Sequence, residues 1–239
     1  MAFGELPLLP ADTRNLGKAF HQVFVEDVLP LGEFDGVHVA GIFPASPLHV
    51  ETNNVTITGA DDLDGLKFRS SSNTLTETLK LIGVTPILKS AAESYEMLSA
   101  GTIDGQATLP AAITGFNTLE FTNNTLLMQG GLGNAITVFA INPAKWAQIS
   151  EADQAAIMKL GEEMFTDQVS NIYADAEDQA VQEMKDAGYT ITHASDELVA
   201  ALREKVQPVT ESWIATAKEA GMEDPAAVLA KYLELANAE

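Results

Sequence analysis

Apolar residues recur along this chain at two different spacings, and the pattern changes near residue 145. Before that point, short apolar runs alternate with helical periods. Leu16, Phe20, Val23 and Phe24 in TRNLGKAFHQVFVEDVL lie at helical spacing. GVHVAGIF reads as a short buried strand and LHVETNNVTIT as extended chain, while ADDLDGLKFR carries a turn into a strand ending at Arg69. Leu75, Leu79 and Ile82 then mark one apolar helix face, with Gly83 placed to stop it. VTPILKS is a short strand, AESYEMLSAG a short helix closing on Gly101, and TIDGQATLP leads into another strand. NTLLMQ and AITVFAIN supply two more. This βαβα rhythm predicts mostly parallel sheets with helices on both faces.

From Ser150 to Ala187 the pattern is continuously helical, with Ser150 as N-cap and Gly188 as the stop. Ile157, Leu160, Met164, Val169, Ile172, Ala176 and Met184 give one apolar stripe. Thirty-odd residues at 1.5 Å each extend roughly 50 Å, enough to touch two lobes. YTITHA, a helix from about Ser195 to Gly221 interrupted by Pro208, and PAAVLAKYLELANA complete the chain.

Composition narrows the functions open to this pattern. The 239 residues suffice for one large domain or two small ones. A net charge of −21, with no basic stripe to offset it, repels nucleic acid and anionic membranes. No cysteine is present, which removes disulfides, thiolate catalysis and Cys-ligated metals without fixing a compartment. No apolar run approaches the roughly 20 residues that span a bilayer. The opening MAFGELPLLPADTR lacks the basic and apolar regions of a secretory signal, so no export signal is expected in it.

Enzyme signatures are absent. There is no Walker A loop and no HExxH, and GGLGNA at 130–135 leads into a strand instead of a helix. His21, His38, His49 and His193 show no metal-ligand spacing. Pairs such as Asp61 with Asp62, or Glu162 with Glu163, suit turns and solvated helix faces. Ser70, Ser71 and Ser72 would need a base to act as nucleophiles, and helix capping explains their hydroxyls better. Trp146 and Trp213 fall in helical segments, where core packing is the default. The chain is therefore expected to be no enzyme, with no cofactor and no metal.

One residue stands out. Arg69 is one of three arginines and ends an apolar strand just before hydroxyl residues that open a helix. At the carboxyl end of a parallel strand, a side chain projects into the crevice where open α/β sheets bind ligands. The following helix directs its free N–H groups there, and a guanidinium pairs bidentately with a carboxylate. The alternative is a surface salt bridge to Asp62 or Asp64. Position alone leaves both open.

DDLDGLKFR, LKLIGVTPI, AESYEMLSAGTIDGQ and AINPAKW, in that order, resemble the solute-binding proteins of TRAP (tripartite ATP-independent periplasmic) transporters, the DctP-like family. The similarity runs from about Gly4 to the C-terminus. It implies a two-lobed α/β fold like that of periplasmic binding proteins, closing on a small organic acid, with a long helix spanning both lobes. Lobe I would take residues 1–46 and 134–172, and lobe II residues 47–133 and 173–239. The leading strands of the first lobe would be missing, because the chain enters the family pattern at GELPLLP.

In that family the arginine after GLK grips the substrate carboxylate, which assigns Arg69. Thr108 stands where an Asn is frequent, Ala91 where an aromatic is common, and His49 at a second basic position. Ser72 and Asn73 lie within reach of a ligand held by Arg69, and Asn134 is a further cleft candidate. The resemblance implies a periplasmic, monomeric receptor delivering its ligand to membrane permease subunits. An α/β enzyme acting on an acidic metabolite, or a truncated fragment that binds nothing, are the alternatives.

Overall fold

The computed structural model describes residues 2–11, 13–164 and 168–238. Helix α1 (Leu16–Val23) buries Leu16, Phe20 and Val23 and continues through a wider turn over Phe24–Val28. Strand β1 (His38–Pro47) runs, after Leu48, directly into β2 (His49–Thr52). Then come β3 (Lys67–Ser70), α2 (Asn73–Leu81), β4 (Thr85–Leu88), α3 (Ser94–Ser99), β5 (Gly105–Thr108) and α4 (Pro110–Gly115). Strands β6 (Asn124–Leu127) and β7 (Asn134–Ile141) precede α5 (Pro143–Trp146), α6 (Glu151–Glu163) and α7 (Val169–Asp186). The chain closes with β8 (Thr190–His193), α8 (Asp196–Glu219) and α9 (Pro225–Ala236).

The strands form two sheets. Sheet A pairs β1 with β7, antiparallel; sheet B has the order β4-β3-β5-β2-β6-β8. In sheet B, β3 lies parallel to β4 and β5, and β6 parallel to β8, whereas β2 is antiparallel to both its neighbours. The expectation of mostly parallel sheets is corrected accordingly. The cause is the route of the chain: β2 arrives straight from sheet A without a helical crossover, so nothing imposes the parallel sense.

The crossing between sheets is built from two adjacent segments. Leu48 N–H donates to Gly133 O at 2.8 Å, and Leu132 N–H donates to Leu48 O at 2.7 Å. The glycine-rich run seen in the sequence is required here. Gly131 and Gly133 have φ of +54° and +114°, and a Cβ on them would lie 2.6 Å from Leu48 O and 2.3 Å from Glu5 O. Only glycine fits both the conformation and the approach.

Helix α7 joins the two sheets a third time. Near its start Tyr173 packs on Phe43 of β1, with centroids 5.9 Å apart, and Ser170 Oγ accepts from Gly17 N–H at 2.8 Å. Further along, Glu177 bonds His49 of β2, and the helix packs on α4. The expected single helix from Ser150 is seen as α6 and α7, with residues 165–167 lying outside the described ones. At about 27 Å, α7 alone spans both sheets.

The expected apolar stripe divides. Val169 and Met184 are buried, but Leu160 is 63% and Ile172 60% exposed, and Met164 is also exposed. Helical period reveals which side is apolar, not whether another element covers it. Pro208 does not interrupt its helix. α8 runs through it because Val206 and Val209, both buried, hold the turns on either side against the core. The main aromatic cluster stacks Phe3 on Phe20 at 4.5 Å and sets Tyr232 of α9 edge-on to Phe3 at 5.1 Å. Trp213 tilts onto the same cluster at 6.4 Å, in the packing role expected of it.

Candidate functional site

Sheet B has one apolar and one polar face. Phe68, Val50, Ala107 and Leu126 are buried in the core on the first. Alternation places their neighbours on the second. Register aligns Arg69 with Gln106, Gln106 with Glu51, and Glu51 with Thr125, a continuous row across β3, β5, β2 and β6. Two residues along, Thr108 pairs with His49 on the same face. Arg69 thus shares this face with Thr108 and His49, one row back from them, toward the end of sheet B beside the crossing into sheet A.

Arg69 is 5% exposed. Its Nε donates to Lys89 O at 3.0 Å, in the turn after β4, which fixes the plane of the guanidinium. Among the described residues its terminal nitrogens have no hydrogen-bond acceptor, and no carboxylate lies within 4.0 Å. Two candidate acids, Asp62 and Glu93, are engaged elsewhere. Asp62 Oδ2 accepts from the N–H groups of Thr58 and Gly59 and from the Thr58 hydroxyl. Glu93 accepts from Lys89 Nζ at 2.9 Å, Ser90 Oγ at 2.9 Å and Ser90 N–H at 3.1 Å. Those bonds hold the Glu93 carboxyl down at about 2, so it stays ionised and bound to its own loop. Burial lowers the Arg69 pKa from its ordinary value, and the field of Glu93 partly restores it. A side chain normally charged at any accessible pH is held here almost wholly out of water with an open fork.

The other expected residues divide. Thr108 is a buried residue whose hydroxyl has no hydrogen-bond partner among the described residues, so it remains free for a ligand. His49 is engaged: its Nδ1 accepts from Met128 N–H at 3.2 Å, which makes Nε2 the protonated nitrogen, and Nε2 donates to Glu177 Oε1 at 2.9 Å. It is a strut between β2 and α7. Ser72 Oγ accepts from Leu75 N–H at 3.2 Å as the N-cap of α2. Asn73 is exposed at the first position of α2. Asn134 begins β7 opposite Pro47, and its Nδ2 donates to Gly4 O at 3.3 Å while Oδ1 stays buried and unpartnered.

Glu51, Gln106 and Glu177 were missed by sequence reading. Alternation around His49 could have shown that Glu51 shares its face. Nothing local links Glu177 to a residue so far away in the chain. No serine–histidine hydrogen bond exists among the described residues, which removes the geometric basis for a serine nucleophile at Ser70, Ser71 or Ser72. A groove of about 710 Å³ lies at the opposite end of sheet B, lined by Asn117, Thr122, Asn123 and Tyr189. Glu120 and Glu183 stand on its wall, which disfavours an organic anion there.

Comparison with known proteins gives this geometry relatives. Residues 1–216 match DctP, the bacterial extracellular solute-binding protein family 7. The chain is 31% identical over 184 residues to the C4-dicarboxylate-binding periplasmic protein DctP of Rhodobacter capsulatus, covering 76% of this chain and 53% of that protein. It is 25% identical over 219 residues to the outer membrane transporter protein TsaT of Comamonas testosteroni, covering 91% of this chain and 64% of that protein. It thus spans less than two-thirds of the length of either relative. Among solved structures, a TRAP periplasmic solute-binding protein from Bordetella bronchiseptica with bound (R)- and (S)-mandelate superposes with a TM-score of 0.89. That match is 25% identical and covers 97% of this chain and 73% of the other.

Proposed function

The chain belongs to bacterial extracellular solute-binding protein family 7, and from that membership we propose that it is a non-enzymatic receptor for a small organic carboxylate, handing it to the membrane permease of a TRAP transporter. One observation carries the reading: the buried Arg69 guanidinium, whose fork has no carboxylate of the protein's own beside it. A guest carboxylate satisfies it bidentately, each charge-assisted bond contributing about 1.5–3 kcal/mol in a site shielded from water. Thr108 supplies a further hydroxyl. Ser72 and Asn73 serve α2 instead, and His49 braces the floor.

In this reading sheets A and B are the cores of the two lobes, residues 1–46 with 134–172 and residues 47–133 with 173–239. The α9 helix is the exception to this division: it packs on α1 and Phe3, so it moves with sheet A and not with the second lobe. The hinge is the hydrogen-bonded crossing at Leu48 and Gly133 together with α7, and a ligand touching both lobes selects the closed state. In this reading the receptor works as a monomer, and it works in the periplasm, the compartment that the names of several relatives give for those proteins. Mandelate, bound in one matched structure, and succinate, chosen as a C4-dicarboxylate because one relative is named for binding that class, are the first acids to try.

Thermal melting with a panel of both acids tests the proposal. A ligand at about a hundred times its Kd stabilises the fold by about 2.7 kcal/mol, and it should be recovered unaltered. Conversion of the acid to a product, or melting curves unmoved by every carboxylate, would overturn the reading.

A further inference from the structure

Glu51 lies in the middle of sheet B, wholly shielded from solvent. Its Oε1 accepts from Thr125 Oγ1 at 2.7 Å, while Oε2 is buried with no partner among the described residues. An ionised carboxylate in such a place needs two or three donors or a cation beside it. It has one hydroxyl. The sheet register sets it two strands from Arg69, about 10 Å by strand spacing, with Gln106 between them.

The charges that face it are few. From its own strand there is His49, whose hydrogen bonds require the neutral ring. From α7 comes Glu177, bonded to that histidine; from the turn before β8 comes Tyr189, which feels the Glu51 charge. Tyr189 accepts from Thr122 Oγ1 at 2.7 Å and donates to Leu119 O at 2.8 Å, and burial pushes its phenol up to about 12. Strands β5 and β6 and helix α4 contribute no titratable group. The Thr125 hydroxyl is the one donor that favours ionisation of Glu51, and burial outweighs it, moving the carboxyl well above the ordinary carboxylate range.

We propose that Glu51 is a positioning residue of the Arg69 site that acts through its charge: as a neutral acid it leaves the guanidinium uncompensated, and on ionising it competes with an incoming carboxylate for that guanidinium. Ligand and proton are then linked, with the anion bound tightly only while Glu51 keeps its proton. This rests on the carboxylate-receptor reading for its ligand, though not for the state of Glu51 itself. A unit charge about 10 Å away through protein weakens anion binding about tenfold.

Infrared difference spectroscopy between wild type and Glu51→Gln at neutral pH reads that state without any ligand. The proposal requires a protonated-carboxyl C=O band in wild type that the variant lacks. Calorimetric titration with (R)-mandelate from about pH 5 to about pH 9 then reads the linkage. Wild-type affinity should fall about tenfold as pH rises through the Glu51 ionisation, and Glu51→Gln should hold the tight value throughout. Thr125→Val removes the one donor favouring the ionised form and should move the fall to higher pH, which keeps the test alive if Glu51→Gln folds poorly. Absence of the infrared band, or an unchanged pH profile in Glu51→Gln, overturns the proposal. If wild type binds no mandelate at any pH, that acid is not the ligand, and the infrared band alone decides whether Glu51 is neutral.

Discussion

Replacing His49 tests whether it is a brace or a ligand group, because the two roles predict opposite patterns. The His49 side chain is 5% exposed and that of Glu177 19%, so their 2.9 Å contact is shielded from water. His49→Ala removes two bonds. The Met128 N–H loses its acceptor and stays buried, costing about 1–3 kcal/mol, and the charge-assisted bond to Glu177 contributes about 1.5–3 kcal/mol more. Glu177 faces solvent in part and recovers some hydration, so the total should come to about 3–5 kcal/mol. Glu177→Gln keeps an acceptor at the same place and loses only the charge, about 1 kcal/mol. Urea unfolding of both single variants and the double variant reads the coupling, expected near 2 kcal/mol. Carboxylate affinity should be unchanged in Glu177→Gln. Refutation would be a coupling near zero, or a His49→Ala protein of wild-type stability that has lost its ligand.

Three further outcomes follow from single observations. Gly133→Ala should lower the urea midpoint far more than Gly188→Ala: both need positive φ, costing about 1–2 kcal/mol, but only at Gly133 would a Cβ meet backbone, whereas nothing lies within 4 Å at Gly188. Ser72→Ala should cost about 1 kcal/mol through loss of the α2 cap and leave ligand affinity unchanged, as measured by melting with and without mandelate. Wild-type stability should fall as pH rises above about 4.5, because Glu51 holds its proton more tightly folded than unfolded; denaturant titration at several pH values should show this slope flattened in Glu51→Gln.

The strand that carries Arg69 near its end was legible in the sequence because its signal is local: an apolar run, an arginine and a hydroxyl cap opening α2, all within a few residues. The same locality exposed Ser72 as a cap. The brace between His49 and Glu177 was not legible, since their meeting depends on how α7 crosses from one sheet to the other. The sense of β2 was hidden for a related reason. Its apolar pattern is that of any buried strand, and direction is decided by whether the chain arrives through a helix or straight from the neighbouring sheet. Leu160 and Ile172 looked like core because period identifies a face and says nothing of its cover. The continuous helical reading across 150–187 found the right material for a bridge, while the bridging itself is done by α7.

The central claim is that a buried, uncompensated guanidinium holds the guest acid, and calorimetric titration of wild type, Arg69→Ala and Arg69→Lys with mandelate and succinate tests it most directly. Two charge-assisted bonds at about 1.5–3 kcal/mol each predict at least a hundredfold loss in Arg69→Ala, with Arg69→Lys in between because an ammonium cannot reproduce the planar fork. An acid that binds all three proteins with the same affinity would contradict the account.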